Sequence, residues 1–535
     1  MDGTPAPTFV LAIDLGTGGP KIALVSTDGE VIAHTVRRNG LILVPGGGVE
    51  QDPEEWWSSI VDGIGELLGR QLVPVHDIVA ISITAQWMAT VPVDETGTPL
   101  ANAVSWMDDR GSRYVKKVTG GGLAVPTVGY NARKLRRWLQ VTGGVPSRTG
   151  KDSVGHILWL KHERPDVYRD TYKFLEPMDF LNMRLTGRFA ASYDSIVGHW
   201  VTDNRDLSRV VYDEELLSWT GIDRAKLPDL LPTGSVVGPI TPERAKELGL
   251  GEHVQVITGT GDTSSAGIGA GAVRDFDGHL YVGTSSWLSC HVPFKKTDLL
   301  HNITSLPSGI PSRYWVATEQ DVAGASLTWL IDNVLLADDA LSVVDAPDDM
   351  LEALNGLAAT SPPGSNGVLF FPWLNGERTP VDDHRIRGGW INLGLATRRA
   401  DLVRAVFEGV ALNARWMLVY AERFTKRRFD GLTYIGGGAL SPLWCQIMAD
   451  VLDRPIRQAA EPRLANVRGA AFSAAVALGY LRWDDIPARV AITETFTPDR
   501  STRATYDRAF EAFTEYYKRT KGIFAKLNRH PRGPS

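Results

Sequence analysis

The chain has 535 residues, with 56 Lys and Arg against 62 Asp and Glu, which gives a formal net charge of −6. Its 43% hydrophobic and 22% charged residues are typical of a folded globular protein and exclude disorder for most of the chain. The acidic balance argues against nucleic acid as a partner, because phosphate backbones demand a basic face, and two cysteines are too few for a disulfide framework.

The N-terminal segment MDGTPAPT has neither the basic nor the apolar part of a signal peptide. No uncharged apolar run approaches the length of a membrane-spanning helix. The sequence therefore predicts a cytoplasmic protein with no membrane partner. Ordered structure is expected from Phe9 to about residue 527, with polar ends on both sides.

The first half of the chain opens with strands joined by tight turns. The apolar run at Val10–Ile13 is followed by glycines, then by Ile22–Val25, an Asp-Gly turn and a strand from Val31. Further along, the pattern predicts a helix within 50–69, strands at 78–84 and 91–94, a helix near 157–162, and a buried strand at 254–258 that runs into a glycine-rich loop.

The second half repeats the opening theme. A strand at 279–282, a Gly-Thr-Ser-Ser turn and a returning strand at 287–292 precede a helix at 401–419. A strand at 432–435 then runs into three glycines and a helix that ends near 452. This alternation predicts an α/β fold. Two strand–Gly-Thr–strand units about half a chain apart indicate two related domains, 9–273 and 274–527.

Four strand-to-loop junctions present small residues that suit a ligand. The usual motifs of P-loop and dinucleotide sites are absent from the sequence. Glycine lets the backbone approach a ligand, and successive N–H groups form nests for anions. The junctions are Asp14–Gly19, Gly259–Asp262, Gly283–Ser286 and Gly436–Gly438. Each alone could be only a tight turn, but four together predict a nucleotide cleft divided between two domains.

The ordered motifs of the chain resemble those of the FGGY family of carbohydrate kinases, from Val10 to about Tyr480. They are DLGTGGPK at 14–21, WMDDR at 106–110, PMDFLNMRLTG at 177–187, TGTGDT at 258–263, YVGTSSW at 281–287, FFPWLNGERTP at 370–380, LVRAVFEGVAL at 402–412 and GGGALSPLWCQIMADVL at 436–452. The last segment and LNGERTP are most similar to xylulokinase-like members.

The resemblance implies two ribonuclease-H-like domains of the actin, hexokinase and Hsp70 type, with an interdomain cleft where ATP, Mg²⁺ and a small sugar or polyol meet. It implies Asp262 as general base and Asp14 as the residue that positions the magnesium ion. It places Thr17, Gly18, Lys21, Gly283, Thr284 and Ser285 at the phosphates, Gly437, Gly438 and Ala439 at the adenosine, and Gln86, Trp87, Met88, Asp108, Asp262 and Thr263 at the substrate. A homodimer is compatible with it.

The first glycine loop departs from the family pattern. Relatives usually carry hydroxyl side chains where this chain has Gly18-Gly19-Pro20, and proline has no N–H to donate. The loop could bind phosphate through the amides of the two glycines. The alternative is a catalytically impaired homologue that binds nucleotide as a regulatory protein.

The segment Gln86-Trp87-Met88 departs from the pattern too. Xylulokinases usually have Met-His and glycerol kinases Arg-Glu here, whereas Trp87 offers one donor and Met88 none. Loss of polar partners lowers affinity and discrimination, so the departure argues against D-xylulose and glycerol and favours another sugar or polyol. The alternative is that Trp87 is a core residue. Glu377 and Arg378 are expected to form an interdomain salt bridge or a lid contact.

Overall fold

The computed structural model describes residues 7–122, 124–125, 129–339 and 346–528. The chain forms two α/β domains, each built on a mixed sheet with helices packed against it. This confirms the predicted fold class. The polar ends are expected at 1–8 and 528–535, and most of both, residues 1–6 and 529–535, lies outside the described residues. None of the helices in the described ranges is long and apolar enough to cross a membrane.

The first half of the chain contributes the following elements. The strands are β1 (Phe9–Gly16), β2 (Gly19–Ser26), β3 (Val31–Val36), β4 (Ile42–Val44), β5 (Gly48–Gln51), β6 (Ile78–Ala85), β7 (Val91–Val93), β8 (Ala103–Val104), β9 (Lys173–Leu175), β10 (Ala190–Ser192), β11 (Thr202–Asp203), β12 (Val211–Tyr212), β13 (Asp229–Leu231), β14 (Val236–Pro239) and β15 (Gln255–Gly261). The helices are α1 (Pro53–Gly69), α2 (Ser112–Thr119), α3 (Ala132–Val141), α4 (Ser153–Glu163), α5 (Pro165–Asp170), α6 (Pro177–Thr186), α7 (Glu214–Thr220), α8 (Pro242–Leu248) and α9 (Asp262–Gly269).

The second half contributes the remaining elements. The strands are β16 (Gly278–Val282), β17 (Ser286–Ser289), β18 (His291–Val292), β19 (Thr297–Asp298), β20 (Ile303–Pro307), β21 (Tyr314–Ala317), β22 (Leu369–Phe371), β23 (Gly389–Ile391), β24 (Leu432–Ile435), β25 (Ile456–Ala459) and β26 (Ile492–Phe496). The helices are α10 (Ala325–Leu330), α11 (Met350–Ala359), α12 (Arg399–Thr425), α13 (Pro442–Leu452), α14 (Ala465–Ala477) and α15 (Arg503–Leu527).

The first sheet has the order β14-β15-β6-β1-β2-β3. Its three central strands, β15, β6 and β1, are parallel, and Thr84 of β6 lies between Asp14 of β1 and Thr260 of β15. The carboxyl ends of parallel strands meet at one edge of a sheet, which is where ligands bind in such folds. Asp14, Gln86 and Asp262 therefore lie along one edge.

The second sheet has the order β17-β16-β24-β25-β26, with β16 parallel to β24. The Gly283–Ser285 turn and the turn at Gly436 therefore lie at one edge of this sheet as well. The returning strand is shorter than the predicted 287–292. It ends at Ser289, and His291–Val292 pairs instead with β21 in a separate sheet.

Two helices join the domains at the base of the cleft. Helix α14, from the second half of the chain, packs Val467, Ala470 and Ala471 onto the small residues of β1 and β6 in the first sheet. It also packs against α9. A Cβ added at Gly269 would collide with the backbone of Ala465, so glycine permits this close crossing. The predicted glycine-rich loop at Asp262 is wrong, because α9 begins at that residue.

Candidate functional site

Asp14 and Lys21 lie where the first hairpin meets the second half of the chain. The Asp14 carboxylate is buried, 3.5 Å from Lys21 Nζ and 3.4 Å from the side-chain amide of Asn466. Lys21 Nζ also donates to the backbone oxygen of Arg463 at 3.0 Å. One carboxylate and one ammonium group are therefore held together at the junction of the two domains.

Asp262 is half-buried at the first position of α9, directly after β15. Its Oδ1 accepts a hydrogen bond from the backbone N–H of Thr263 at 2.8 Å. Burial, together with the negative charges of Asp14 and Glu319, raises the pKa of Asp262 to about 7. A carboxylate with this pKa can accept a proton near neutral pH, which is the requirement for a general base.

The Thr17 hydroxyl at the tip of the first hairpin is turned into its own domain. It accepts from the indole N–H of Trp106 and donates to the amide oxygen of Gln86, both at 3.0 Å. Gln86 in turn donates to Gln51 at 2.6 Å, and Gln51 donates to the backbone oxygen of Thr17 at 2.8 Å. The network links the hairpin tip to the end of β6. The Thr17 hydroxyl and the Gln86 side-chain amide both form their hydrogen bonds within it.

The glycines of this hairpin have different surroundings. A Cβ added at Gly18 would meet nothing within 4 Å, so the tip is open there. Gly19 has φ +125°, and a Cβ would collide with the backbone oxygen of Arg37. Glycine at position 19 is therefore required by packing of the hairpin against β3 and the chain that follows it. Pro20 lies inside β2, opposite Leu15.

Trp87 and Met88 follow β6 beside Asp262. The indole N–H of Trp87 donates to the backbone oxygen of Ser195 at 2.9 Å, and its ring meets Trp315 edge-on at 6.0 Å between centroids. A Cβ added at Gly261 would lie 3.6 Å from the Trp87 ring. The ring is thus half-buried between the domains and lies beside Gly261, the residue before Asp262, and its N–H is already used.

The backbone at Met88 is held by hydrogen bonds to a buried carboxylate. Met88 has φ +59°, which is unfavourable for a side-chain-bearing residue. The buried Glu176 carboxylate accepts hydrogen bonds from the backbone N–H groups of Met88 and Ala89, and burial raises the pKa of Glu176 well above its usual range. Ser153 also donates its hydroxyl to Glu176. Sequence reasoning missed Glu176, although it directly precedes the motif at 177–187.

Asp108 is fully buried and does not face the cleft. Its Oδ2 accepts from the Val49 N–H at 2.9 Å and from Arg110 Nε at 2.8 Å, and its Oδ1 accepts from the Arg110 N–H at 3.0 Å. Both oxygens are occupied by the protein itself. In this arrangement Asp108 fixes the loop after β8, and its expected contact with the substrate stays a prediction.

The second hairpin presents its hydroxyls outward. Thr284 is exposed, and neither its hydroxyl nor that of Ser285 has a protein hydrogen-bond partner within the described ranges. The backbone is held by the loop before α10, because Gly324 donates to the Gly283 oxygen at 2.8 Å and Ala323 donates to the Thr284 oxygen at 2.9 Å. Two free hydroxyl groups are therefore carried on a fixed turn.

The glycine turn after β24 gives a surface with few side chains. Gly436 has φ +88°, and a single 3₁₀ turn at Gly437–Leu440 precedes α13. Gly438 and Ala439 are buried, and the Ala439 oxygen accepts from Gln458 at 2.6 Å. A Cβ at Gly437 would approach only the Arg463 side chain, at 3.7 Å.

Arg378 lies between the domains, but the expected interdomain salt bridge is wrong. Its Nε is 2.6 Å from Asp321 and its Nη1 pairs with Glu319, both in the second half of the chain. It reaches the first domain only through the face of Trp106, at 5.9 Å from the ring centroid. Glu377 is buried and accepts from the side-chain amide of Asn413 at 2.5 Å. Glu319 was not predicted, since no motif surrounds it.

Comparisons with known proteins agree with this architecture. Residues 9–269 match the N-terminal domain model of the FGGY family of carbohydrate kinases, and residues 280–478 match its C-terminal domain model. Xylulose kinase from Staphylococcus epidermidis is 30% identical, over 97% of this chain and 98% of that protein.

Two solved structures share the fold. Gluconate kinase from Lactobacillus acidophilus superposes with a TM-score of 0.84 at 23% identity, covering 98% of this chain and 100% of that one. The ligand-bound xylulose kinase from the same organism superposes with a TM-score of 0.83 at 23% identity, covering 97% and 100%. These likenesses extend over essentially the whole length of both chains.

Proposed function

The chain belongs to the FGGY family of carbohydrate kinases, and we propose that it transfers the γ-phosphoryl group of ATP to a hydroxyl of a small sugar or polyol, with Asp262 as general base. Kinases of this family use ATP as the phosphoryl donor. The observation that carries the assignment of the base is the position of Asp262, half-buried between strand β15 and the cleft, with a pKa of about 7.

In the proposed reaction, Asp262 accepts the proton of the attacking hydroxyl as that oxygen bonds to the γ-phosphorus, while the bond from the γ-phosphorus to the β–γ bridging oxygen breaks and ADP leaves. Lys21 compensates negative charge on the phosphates from the first domain, and Thr284 and Ser285 donate hydrogen bonds from the second. Phosphoryl transfer depends mainly on such alignment and charge compensation. The glycine turn at Gly437–Leu440 borders the adenosine.

Asp14 would hold a magnesium ion. Magnesium is usually bound by one or two carboxylates together with phosphate oxygens and water, and a single buried carboxylate at the phosphate end of the cleft fits that donor set. The described residues contain no cluster of three side chains that could hold a metal by itself. Bound there, the ion would neutralise charge on the β- and γ-phosphates.

We propose that the substrate is recognised through Asp262, Thr263 and the face of the Trp87 ring. Three of the polar groups expected at the substrate already form hydrogen bonds within the protein. They are the indole N–H of Trp87, the carboxylate of Asp108 and the side-chain amide of Gln86. A ring face can pack on C–H groups of a sugar. We therefore expect a substrate preference that differs from that of the xylulose kinases named above.

A coupled ADP-release assay tests the function. Pentuloses, pentitols, tetritols, hexuloses and gluconate should be compared at saturating Mg·ATP, and at least one should stimulate ADP release and yield a phosphorylated product. ADP release that no compound stimulates, with ATP still bound, would support the impaired regulatory homologue instead. The Gly18-Gly19-Pro20 loop motivates that alternative, but no comparison favours it.

Three further expectations stay predictions. They are the domain limits 9–273 and 274–527, a homodimer and a cytoplasmic location.

A further inference from the structure

Tyr281 lies in β16, directly opposite Trp287 of β17, so both rings are on the same face of the second sheet. The rings stack with their centroids 3.8 Å apart and an angle of 7° between their planes. The Trp287 indole is itself fixed by a hydrogen bond to His279 at 3.2 Å. The Tyr281 ring is therefore held in one orientation by its cross-strand neighbour.

The phenol end of Tyr281 lies between the two glycine turns of the second domain. A Cβ added at Gly283 would collide with the Tyr281 hydroxyl, and a Cβ added at Gly436 would lie 3.1 Å from the ring at Cε2. These turns are the ones proposed to meet the phosphates and the adenosine. A glycine at each of them leaves room for the phenol at this place.

The Tyr281 hydroxyl is available as a donor. It makes no hydrogen bond to the protein among the described residues, and the side chain is only partly buried. Burial and the negative charges of Asp14 and Asp262 raise the pKa of Tyr281 to about 12, so the group stays protonated at neutral pH.

Tyr434 on the neighbouring strand provides a contrast. It pairs with Leu280, the residue before Tyr281, so its side chain points to the opposite face of the sheet. It is fully buried, and its hydroxyl, which also has no protein partner in the described part of the chain, lies beneath Gly438. A ligand in the cleft cannot reach that hydroxyl, whereas it can reach the hydroxyl of Tyr281.

We propose that the Tyr281 hydroxyl donates a hydrogen bond to a phosphate oxygen of the bound nucleotide. The Gly18-Gly19-Pro20 loop of the first domain has no hydroxyl side chain to donate to a phosphate. Tyr281 would supply such a donor from the second domain. This inference rests on the proposed function for the identity of the ligand, a nucleoside di- or triphosphate. No bond is made or broken by Tyr281, which acts as a binding residue.

The test compares Tyr281→Phe with Tyr434→Phe, two losses of one hydroxyl on adjacent strands. Mg·ATP and Mg·ADP are titrated into each full-length variant by calorimetry, and thermal unfolding is recorded. Tyr281→Phe should weaken at least one nucleotide by about 10- to 100-fold, the usual value of a hydrogen bond to a charged group. Its unfolding temperature and the KM for the sugar should not change, and Tyr434→Phe should bind nucleotide like the unaltered chain.

The outcomes separate this inference from the proposed function. Unchanged or tighter nucleotide binding by Tyr281→Phe would overturn it, as would equal losses in both variants with lowered unfolding temperatures. If the unaltered chain binds nucleotide in a Tyr281-dependent way yet phosphorylates no sugar, the inference holds and the proposed kinase activity fails. If the unaltered chain binds neither nucleotide, both are overturned.

Discussion

The hairpins that open the two domains both carry Gly-Thr at their tips but use the threonine hydroxyl in opposite ways. The Thr17 hydroxyl bonds inward to Gln86 and Trp106, whereas the Thr284 hydroxyl has no hydrogen-bond partner in the described part of the protein, and the residue is exposed. The charged side chains proposed to act in the reaction, Asp14, Lys21 and Asp262, all belong to the first domain. On the proposed function, we therefore expect the first domain to supply the charged groups and the second to supply neutral donors to the nucleotide.

The largest effect is expected from removing the base of the first domain. Asp262→Asn keeps the shape of the side chain but cannot accept a proton, and loss of a general base typically costs about 100- to 10,000-fold in rate. The kcat should fall by that amount, while Mg·ADP binding and the unfolding temperature stay near those of the unaltered chain. A variant that retained more than about a tenth of kcat would contradict the assignment of the base.

The pH dependence of the reaction should report the same carboxylate. The pKa of Asp262 is raised to about 7, so the group is protonated and inactive as a base below that pH and becomes active as the pH rises through it. We expect kcat/KM for the sugar to increase with pH up to a plateau above 7. Because the charge of Glu319 contributes to the raised pKa, Glu319→Gln should move the midpoint to lower pH. A flat profile between pH 5.5 and 8 would be incompatible with this role.

The strand ends that carry the site could be predicted from the sequence, but several contacts could not. Asp14 directly follows a continuous apolar run and Asp262 comes shortly after a predicted buried strand, and parallel strands bring such ends to one edge. Helix α9 was missed because DTSSAGIG contains few good helix formers, and its packing partner α14 lies about 200 residues away. The inward orientation of Thr17 depends on Gln51 and Trp106, which no local pattern connects to it.

The next largest effect separates two adjacent glycines of the first hairpin. Gly19→Ala puts a Cβ against the backbone of Arg37 at a φ of +125°, which should destabilise the fold by about 1–3 kcal/mol. Gly18→Ala meets nothing within 4 Å and serves as the matched control, with little change in the free energy of unfolding. Urea unfolding of both variants measures the difference. Equal stability would show that packing does not require the glycine at 19.

The smallest effects come from exchanging each hairpin threonine for valine, which tests the comparison itself. Thr17→Val leaves the Trp106 N–H and the Gln86 oxygen without that partner, so the free energy of unfolding should fall by about 1 kcal/mol while the Kd for Mg·ATP is retained. Thr284→Val removes an exposed hydroxyl, so stability should be retained while the Kd rises about fivefold, equivalent to about 1 kcal/mol. If both variants lost nucleotide affinity alike, the two hairpins would act symmetrically on the phosphates, and the division of labour between the domains would be wrong.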